Sequence, residues 1–328
     1  MTDTFASGFP EFPDPYKLFI EEGKKMEVYT SVQEMIGHTP MLKLGHMGVP
    51  EGVNLYAKLE LMNPAGSVKD RVGEYMIHAA EKDGTLKPGG TIIEGTAGNT
   101  GIGIAIAALN KGYRVIFAVP EKFSEEKKKI MAALGAEIVS TPRADGMLGA
   151  EKKAEELKSQ IPGAITLRQF HNPANPQAHY ETTGPEIYKQ LDGQIDYLVA
   201  GAGSGGTFSG IVKYLKEKNP SIQGVLADPY GSIIGGGEHG DYDIEGIGND
   251  FIAETMDMKL VDKVYKVTDD EAYGASRTLA KKEGILAGSS SGAALSAALR
   301  LAEEIGHGNI VVVFPDRGDR YLSKGLYD

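Results

Sequence analysis

No cysteine occurs in the 328 residues. Disulfide cross-links, thiolate-bound zinc, iron–sulfur centres and a thiol nucleophile are thereby excluded, and a reducing, cytoplasmic setting is expected. A basic excess is missing as well: 34 Lys and Arg stand against 45 Asp and Glu, a formal net charge of −11. Phosphate backbones and anionic lipids repel such a chain, so neither nucleic acid nor a membrane surface is expected as a partner. No apolar run approaches the roughly 20 residues that cross a bilayer, and the first residues lack the basic-then-apolar order of an export signal. Metal-ligand spacing is absent too. His38, His171 and His179 have neither i, i+4 histidine partners nor neighbouring carboxylates in sequence, so they read as packing or surface residues and no metal is expected. The charged stretch 122–129 reads as a solvated helix face.

What is present is an ordinary globular balance, 41% hydrophobic and 24% charged residues, enough for one large or two moderate domains. Residues 1–25 carry three prolines and no periodic pattern, and read as a poorly tied N-terminal extension; better-patterned sequence begins at Met26. Short β-branched runs at 54–59, 91–94, 114–119, 137–140, 197–200, 223–227 and 310–314 read as strands buried on both faces. Helical patterns lie between them at 71–83, 100–111, 124–134, 146–160, 207–218, 269–283 and 292–304. Strand, glycine turn and helix, repeated, predict an α/β fold of two doubly wound domains with mainly parallel central sheets and a cleft between them. The expected division is 63–172 for the smaller domain and 26–62 plus 173–328 for the larger.

Four loops could carry chemistry. Gly201-Ala202-Gly203-Ser204-Gly205-Gly206-Thr207 joins a strand to a helix, where converging N–H groups and the helix N-terminus suit a phosphate; the same glycines could merely permit a tight turn. The Walker lysine is absent and the dinucleotide spacing is broken, leaving a dinucleotide as the second choice. Glu94-Gly95-Thr96-Ala97-Gly98-Asn99-Thr100-Gly101 suits a small carboxylate, or is simple helix capping by Thr96 or Asn99. In Asn63-Pro64-Ala65-Gly66-Ser67-Val68-Lys69-Asp70-Arg71 a lysine opens a helix, where the dipole and desolvation favour its neutral amine; that makes a Schiff-base nucleophile, unless Lys69 is a solvated lysine beside Asp70. Gly288-Ser289-Ser290-Ser291-Gly292 is a cap or a fourth part of one site.

Taken together, NPAGSVKDR, GTAGNTG and GSGGT resemble the cysteine synthase and cystathionine β-synthase family of pyridoxal-phosphate enzymes, of the tryptophan-synthase-β fold type, from about Thr39-Pro40 to Ser291-Gly292-Ala293. The resemblance implies pyridoxal 5'-phosphate held by Lys69, with Gly203, Ser204, Gly205, Gly206 and Thr207 as phosphate cup, Asn99 on the cofactor's phenolic oxygen and Ser290 facing the pyridine nitrogen. It also implies substrate-carboxylate contacts from Thr96, Ala97, Gly98, Asn99, Thr100 and Gln169. The implied reaction is β-replacement on serine or O-acetylserine through an α-aminoacrylate, forming cystathionine from homocysteine, cysteine from sulfide, or both. A serine at the pyridine nitrogen is a weaker support for the electron sink than a carboxylate, which favours β-elimination over transamination. The stretch from Asp228 to Phe251 looks closer to the cystathionine branch, with Asp228 and Glu245 as candidates to attract the second substrate's amino group. A homodimer is implied. The absence of cysteine removes the haem ligand of the animal enzymes, and the sequence leaves no room for their C-terminal regulatory module. A strict cysteine synthase, a catalytically silent phosphate-ligand-binding protein and an NAD-dependent oxidoreductase are the alternatives.

Overall fold

The computed structural model describes residues 28–96, 98–121 and 125–328. The expected extension at 1–25, and Ala97 of the carboxylate loop, lie outside them. Two sheets form the frame. The smaller contains β3 (Thr91–Gly95), β4 (Arg114–Pro120), β5 (Glu137–Thr141) and β6 (Ala164–Thr166); the larger contains β1 (Met41–Lys43), β2 (Val53–Leu59), β7 (Tyr197–Gly201), β8 (Gln223–Pro229), β9 (Lys263–Val267) and β10 (Gly308–Phe314). Their orders are β5-β4-β3-β6 and β1-β2-β10-β7-β8-β9, and every pairing is parallel except β1 with β2.

Helices α1 (Lys69–Lys82), α2 (Asn99–Ala108), α3 (Glu125–Ala133) and α4 (Gly146–Gln160) accompany the smaller sheet; α5 (Ala174–Ala178), α6 (Gly184–Gln190), α7 (Gly206–Lys218), α8 (Asp269–Glu283) and α9 (Ser289–Ile305) follow. Parallel sheets need helices on both faces, and the side-chain alternation shows it. In the smaller sheet Ile92, Phe117 and Val119 pack with Val72, Met76, Ile102 and Ile104 of α1 and α2, while Ile93, Ile116 and Ala118 meet Ala150 and Ala154 of α4. In β10, Val312 and Phe314 join Leu295 and Ala298 of α9, whereas Val311 and Val313 face Phe208 and Ile211 of α7. Each such side chain contributes roughly 1.5–3 kcal/mol on burial.

All seven expected strands and seven expected helices are present, those at 146–160 and 269–283 with the expected bounds and the others with shifted ends. The helices expected at 71, 100, 207 and 292 begin one to three residues earlier, at Lys69, Asn99, Gly206 and Ser289. These shifts place Lys69, Asn99, Gly206, Thr207 and Ser290 in first helical turns, where main-chain N–H groups lack intrahelical acceptors. Strands β1, β6 and β9 and helices α5 and α6 were not among the expected elements. Among the described residues no helix is long and apolar enough to cross a membrane, and no group of three or more His, Asp and Glu could hold a metal ion.

Candidate active site

Lys69 is delivered by a turn stitched to the end of β10. Val68 N donates to Pro315 O at 2.8 Å, Arg317 N to Gly66 O at 3.2 Å, and Ala65 N to Asp70 Oδ2 at 2.6 Å. From the other side α2 presses on α1 so closely that a Cβ on Gly103 would stand 2.2 Å from Lys69 O. Lys69 lines a cleft, open to solvent, together with Gly203, Ser204, Gly205 and Thr207. One ligand can therefore touch both the amine and the glycine loop, which a solvated surface lysine could not offer. Burial pushes the Lys69 amine down to about 8, against the pull of the Asp316 carboxylate.

The glycine loop is more than a flexible turn. Gly205 is left-handed, with φ +82°, and a Cβ there would lie 2.4 Å from Met256 Cβ. At Gly206 a Cβ would lie 2.1 Å from Asn175 Oδ1, an oxygen that is buried and has no hydrogen-bond partner. Only a bare main chain fits, and its donors at the start of α7 form a cradle for an anion. The cradle is braced from outside: Asn175 Nδ2 donates to Ser204 Oγ at 2.9 Å, and Thr255 Oγ1 to Ser204 O at 2.5 Å. Thr207 Oγ1 lies 3.1 Å from His179 Nε2, whose other ring nitrogen lies 2.9 Å from Thr183 Oγ1. Burial drives His179 down to about 3, so the ring is neutral and adds no charge beside the cradle. A Gly206→Ala variant is expected to lose cofactor affinity by roughly 5- to 150-fold, the equivalent of about 1–3 kcal/mol of overpacking. Fluorescence titration of the apoprotein measures it.

The carboxylate loop and Gln169 meet. Thr100 Oγ1 donates to Gln169 Oε1 at 2.6 Å, and Gly101 N to Thr96 Oγ1 at 3.2 Å, so Thr96 also caps α2. Asn99 opens α2 and is held by a residue the sequence reading missed: its Nδ2 donates to Asp316 Oδ2 at 2.7 Å, while Arg320 Nη1 donates to Asn99 Oδ1 at 2.5 Å. Tyr321 OH also donates to Asp316 Oδ2, and Asp316 Oδ1 is buried without a partner. The available signal was position, since Asp316 follows the central strand β10, and ligands in parallel sheets gather at the carboxyl ends of strands. Ser290 is buried in the first turn of α9; a Cβ on cleft-lining Gly246 would lie 3.8 Å from its Oγ.

The two acidic candidates separate. Asp228 is fully buried at the end of β8, with Oδ2 bonded to Lys266 Nζ at 2.6 Å and Gly235 N at 2.9 Å. This corrects the expectation of a cleft carboxylate: Asp228 is fully buried on an interior strand, in register with Lys266 of the edge strand β9 and ion-paired to it. Glu245 precedes cleft-lining Gly246 and sits between Lys127 Nζ at 2.6 Å and Lys324 Nζ at 2.5 Å. Burial opposes its charge, but the two lysines hold its carboxyl below the ordinary range. Lys127 in turn approaches the carboxylate loop, with Nζ 3.6 Å from a Cβ built on Gly98.

A nucleophilic amine facing an anion cradle at the ends of parallel strands defines a class, and comparison with known families agrees. The family model described as pyridoxal-phosphate dependent enzyme matches residues 32–316, and the chain belongs to that family. It is a pyridoxal-phosphate dependent enzyme. Among its relatives, the O-acetylserine dependent cystathionine beta-synthase of Bacillus subtilis (strain 168) is 53% identical over 304 residues, covering 92% of this chain and 99% of the relative. A cysteine synthase of Helicobacter pylori is 48% identical, covering 92% and 100%. The crystal structure of the O-acetylserine dependent cystathionine beta-synthase from Helicobacter pylori superposes with a TM-score of 0.88 at 47% identity, covering 92% of this chain and 100% of that one. The residues fit the cofactor: burial brings the Lys69 amine down to about 8, and no Cβ fits at Gly205 or Gly206, so the loop can offer only its bare main chain.

Proposed function

We propose that the protein catalyses β-replacement on O-acetylserine, exchanging acetate for the thiol of homocysteine to give cystathionine, and accepting sulfide to give cysteine. The observation that carries this reading is the shared cleft of Lys69 and the glycine cradle. The names of the Bacillus subtilis relative and of the superposed Helicobacter pylori structure, both O-acetylserine dependent, support the choice of first substrate. When bound, the cofactor supplies an electron sink for negative charge at the substrate's Cα.

The chain's own residues do the rest. The N–H groups of Gly203 to Thr207 and the Thr207 hydroxyl would grip the phosphate, with Lys69 Nζ holding the cofactor covalently. Thr96, Ala97, Gly98, Asn99, Thr100 and Gln169 would orient the amino acid by its carboxylate, with Asn99 also toward the phenolic oxygen. With the cofactor bound, Lys69 would remove the Cα proton and later return it; an amine that titrates near 8 is poised to do both. Ser290 would face the ring nitrogen with a hydroxyl, which would leave that nitrogen without a counter-charge.

The smaller sheet, with all its strands inside 63–172, and the larger one, with strands drawn from both sides of that span, support the two-domain division. A homodimer and a cytoplasmic location belong to the same reading. Steady-state rates with O-acetylserine and serine, each with homocysteine and sulfide, test it. O-acetylserine with homocysteine is expected to be turned over efficiently, and failure of both first substrates would remove the proposal.

Glu245 is proposed to receive the amino group of homocysteine. Glu245→Gln is expected to lower kcat/KM for homocysteine by roughly tenfold or more, the scale of one lost charged hydrogen bond, and that for sulfide far less. Equal losses would assign Glu245 to its two lysines alone.

A further inference from the structure

One buried carboxylate lies directly beneath the substrate loops and takes no part in the chemistry described above. Glu94 occupies the fourth position of β3 and is 4% exposed. Its chain runs on through Gly95 into the Thr96–Thr100 loop. Its side chain reaches the other way: Oε2 accepts from Leu167 N at 2.9 Å and Arg168 N at 3.0 Å, and Oε1 accepts from Gln169 N at 3.1 Å.

The need for this acceptor follows from the sheet. Pairing of β3 with β6 runs only as far as Ile93 with Thr166. Beyond that point the chain turns away, with Arg168 in a left-handed conformation at φ +53°, and three successive N–H groups have no strand to bond. Buried amide donors left without acceptors are costly, and a carboxylate with two oxygens satisfies all three. The segment so fixed carries Gln169, whose Oε1 receives Thr100 Oγ1 at 2.6 Å and whose O receives Asn175 Nδ2 at 2.9 Å. Burial pushes the Glu94 carboxyl up to about 7.

We infer that Glu94 is a positioning residue for recognition of the substrate carboxylate: it locks the main chain at 167–169 so that the Gln169 amide stands beside Thr100, across from the loop that Glu94 itself begins. This rests on the proposal that Thr100 and Gln169 bind that carboxylate.

The test uses the cofactor-loaded enzyme with Glu94→Gln, Glu94→Asp, Gln169→Ala and the double variant Glu94→Gln/Gln169→Ala. Glu94→Gln replaces one acceptor by an amide that points a donor at a donor, and is expected to raise KM for O-acetylserine at least tenfold. Its kcat, its KM for the second substrate and its visible cofactor spectrum should stay near those of the parent. Amide hydrogen exchange over 167–169 should accelerate. On the Gln169→Ala background the Glu94→Gln change should add little, since both act through one side chain. Glu94→Asp keeps the charge but falls short by a methylene, and is expected to lie between parent and Glu94→Gln; it carries the test if Glu94→Gln does not fold. A KM increase that multiplies fully with that of Gln169→Ala, or a fall in kcat with unchanged KM, would overturn the positioning role alone. A Gln169→Ala variant with parental KM would overturn the carboxylate pocket itself and this inference with it.

Discussion

Lys69→Ala is expected to lower turnover of O-acetylserine by at least about a thousandfold, within the span that a positioned acid–base group supplies. The same change removes the covalent anchor. Borohydride reduction of the parent followed by peptide mass analysis should place the pyridoxyl mass on Lys69, and the variant should take up none there. The loss should not be rescued by Lys69→Arg. A guanidinium stays charged at all working pH values, whereas burial brings the Lys69 amine down to about 8, within reach of deprotonation, against the pull of Asp316. The glycine cradle is untouched by either substitution, so both variants should still bind the cofactor noncovalently, which equilibrium dialysis would measure. Full turnover by Lys69→Ala would remove the assignment.

The largest effect on stability is expected two residues away. Arg71 is 1% exposed and makes paired bonds to Glu60, from Nε at 2.8 Å and Nη2 at 2.9 Å, and to Glu186, from Nη1 and Nη2 at 2.7 Å each. Lys58, fully buried, adds a second cation on Glu186 at 2.7 Å, and Thr39 Oγ1 donates to Glu60 at 2.6 Å. Arg71→Met leaves Glu60 buried without its paired cation, and a loss of about 3–5 kcal/mol is expected in urea unfolding. The pH dependence has a definite sign. Burial alone would raise the Glu60 carboxyl, but Arg71 and Lys58 overcome it and hold it at about 2, below the unfolded value of 4.5. A depressed carboxylate contributes its full stability above the unfolded pKa and loses it as pH falls through the folded one. The parent should therefore weaken between about pH 4.5 and 2. The Arg71→Met variant should show a flatter profile over that interval.

Much of the frame was readable because parallel strands covered on both faces are continuous apolar runs, as in Ile310 to Phe314. What escaped notice lacked that pattern. Strand β9 reads Lys-Val-Tyr-Lys-Val, an edge strand whose two lysines break the apolar run, and β1 and β6 are only three residues long. Helices α5 and α6 are short, carry Pro176 and Pro185, and are joined by a π-helical turn, His179–Thr183, which blurs their period. In the site, Lys69 and the glycine loop announce themselves locally, whereas Gln169 came from family resemblance. Asp316 acts on Asn99 across 217 positions of chain, and Asn175 reaches Ser204 from a helix with no visible pattern. Asp228 came from the likeness of its stretch to the cystathionine branch, and only the neighbouring strand reveals the lysine that claims it.

Strand order has a consequence for how the enzyme is made. In the larger sheet β10 lies between β2 and β7, so the strand translated after all the others is the one that joins them. While the ribosome is still upstream of residue 308, β2 and β7 each present an unsatisfied inner edge. The Lys69 turn also waits, because its clasp to Pro315 and Arg317 does not yet exist. A nascent chain of this enzyme is thus sheltered only in part, with catalytic competence arriving as a single late event once the keystone strand slots in.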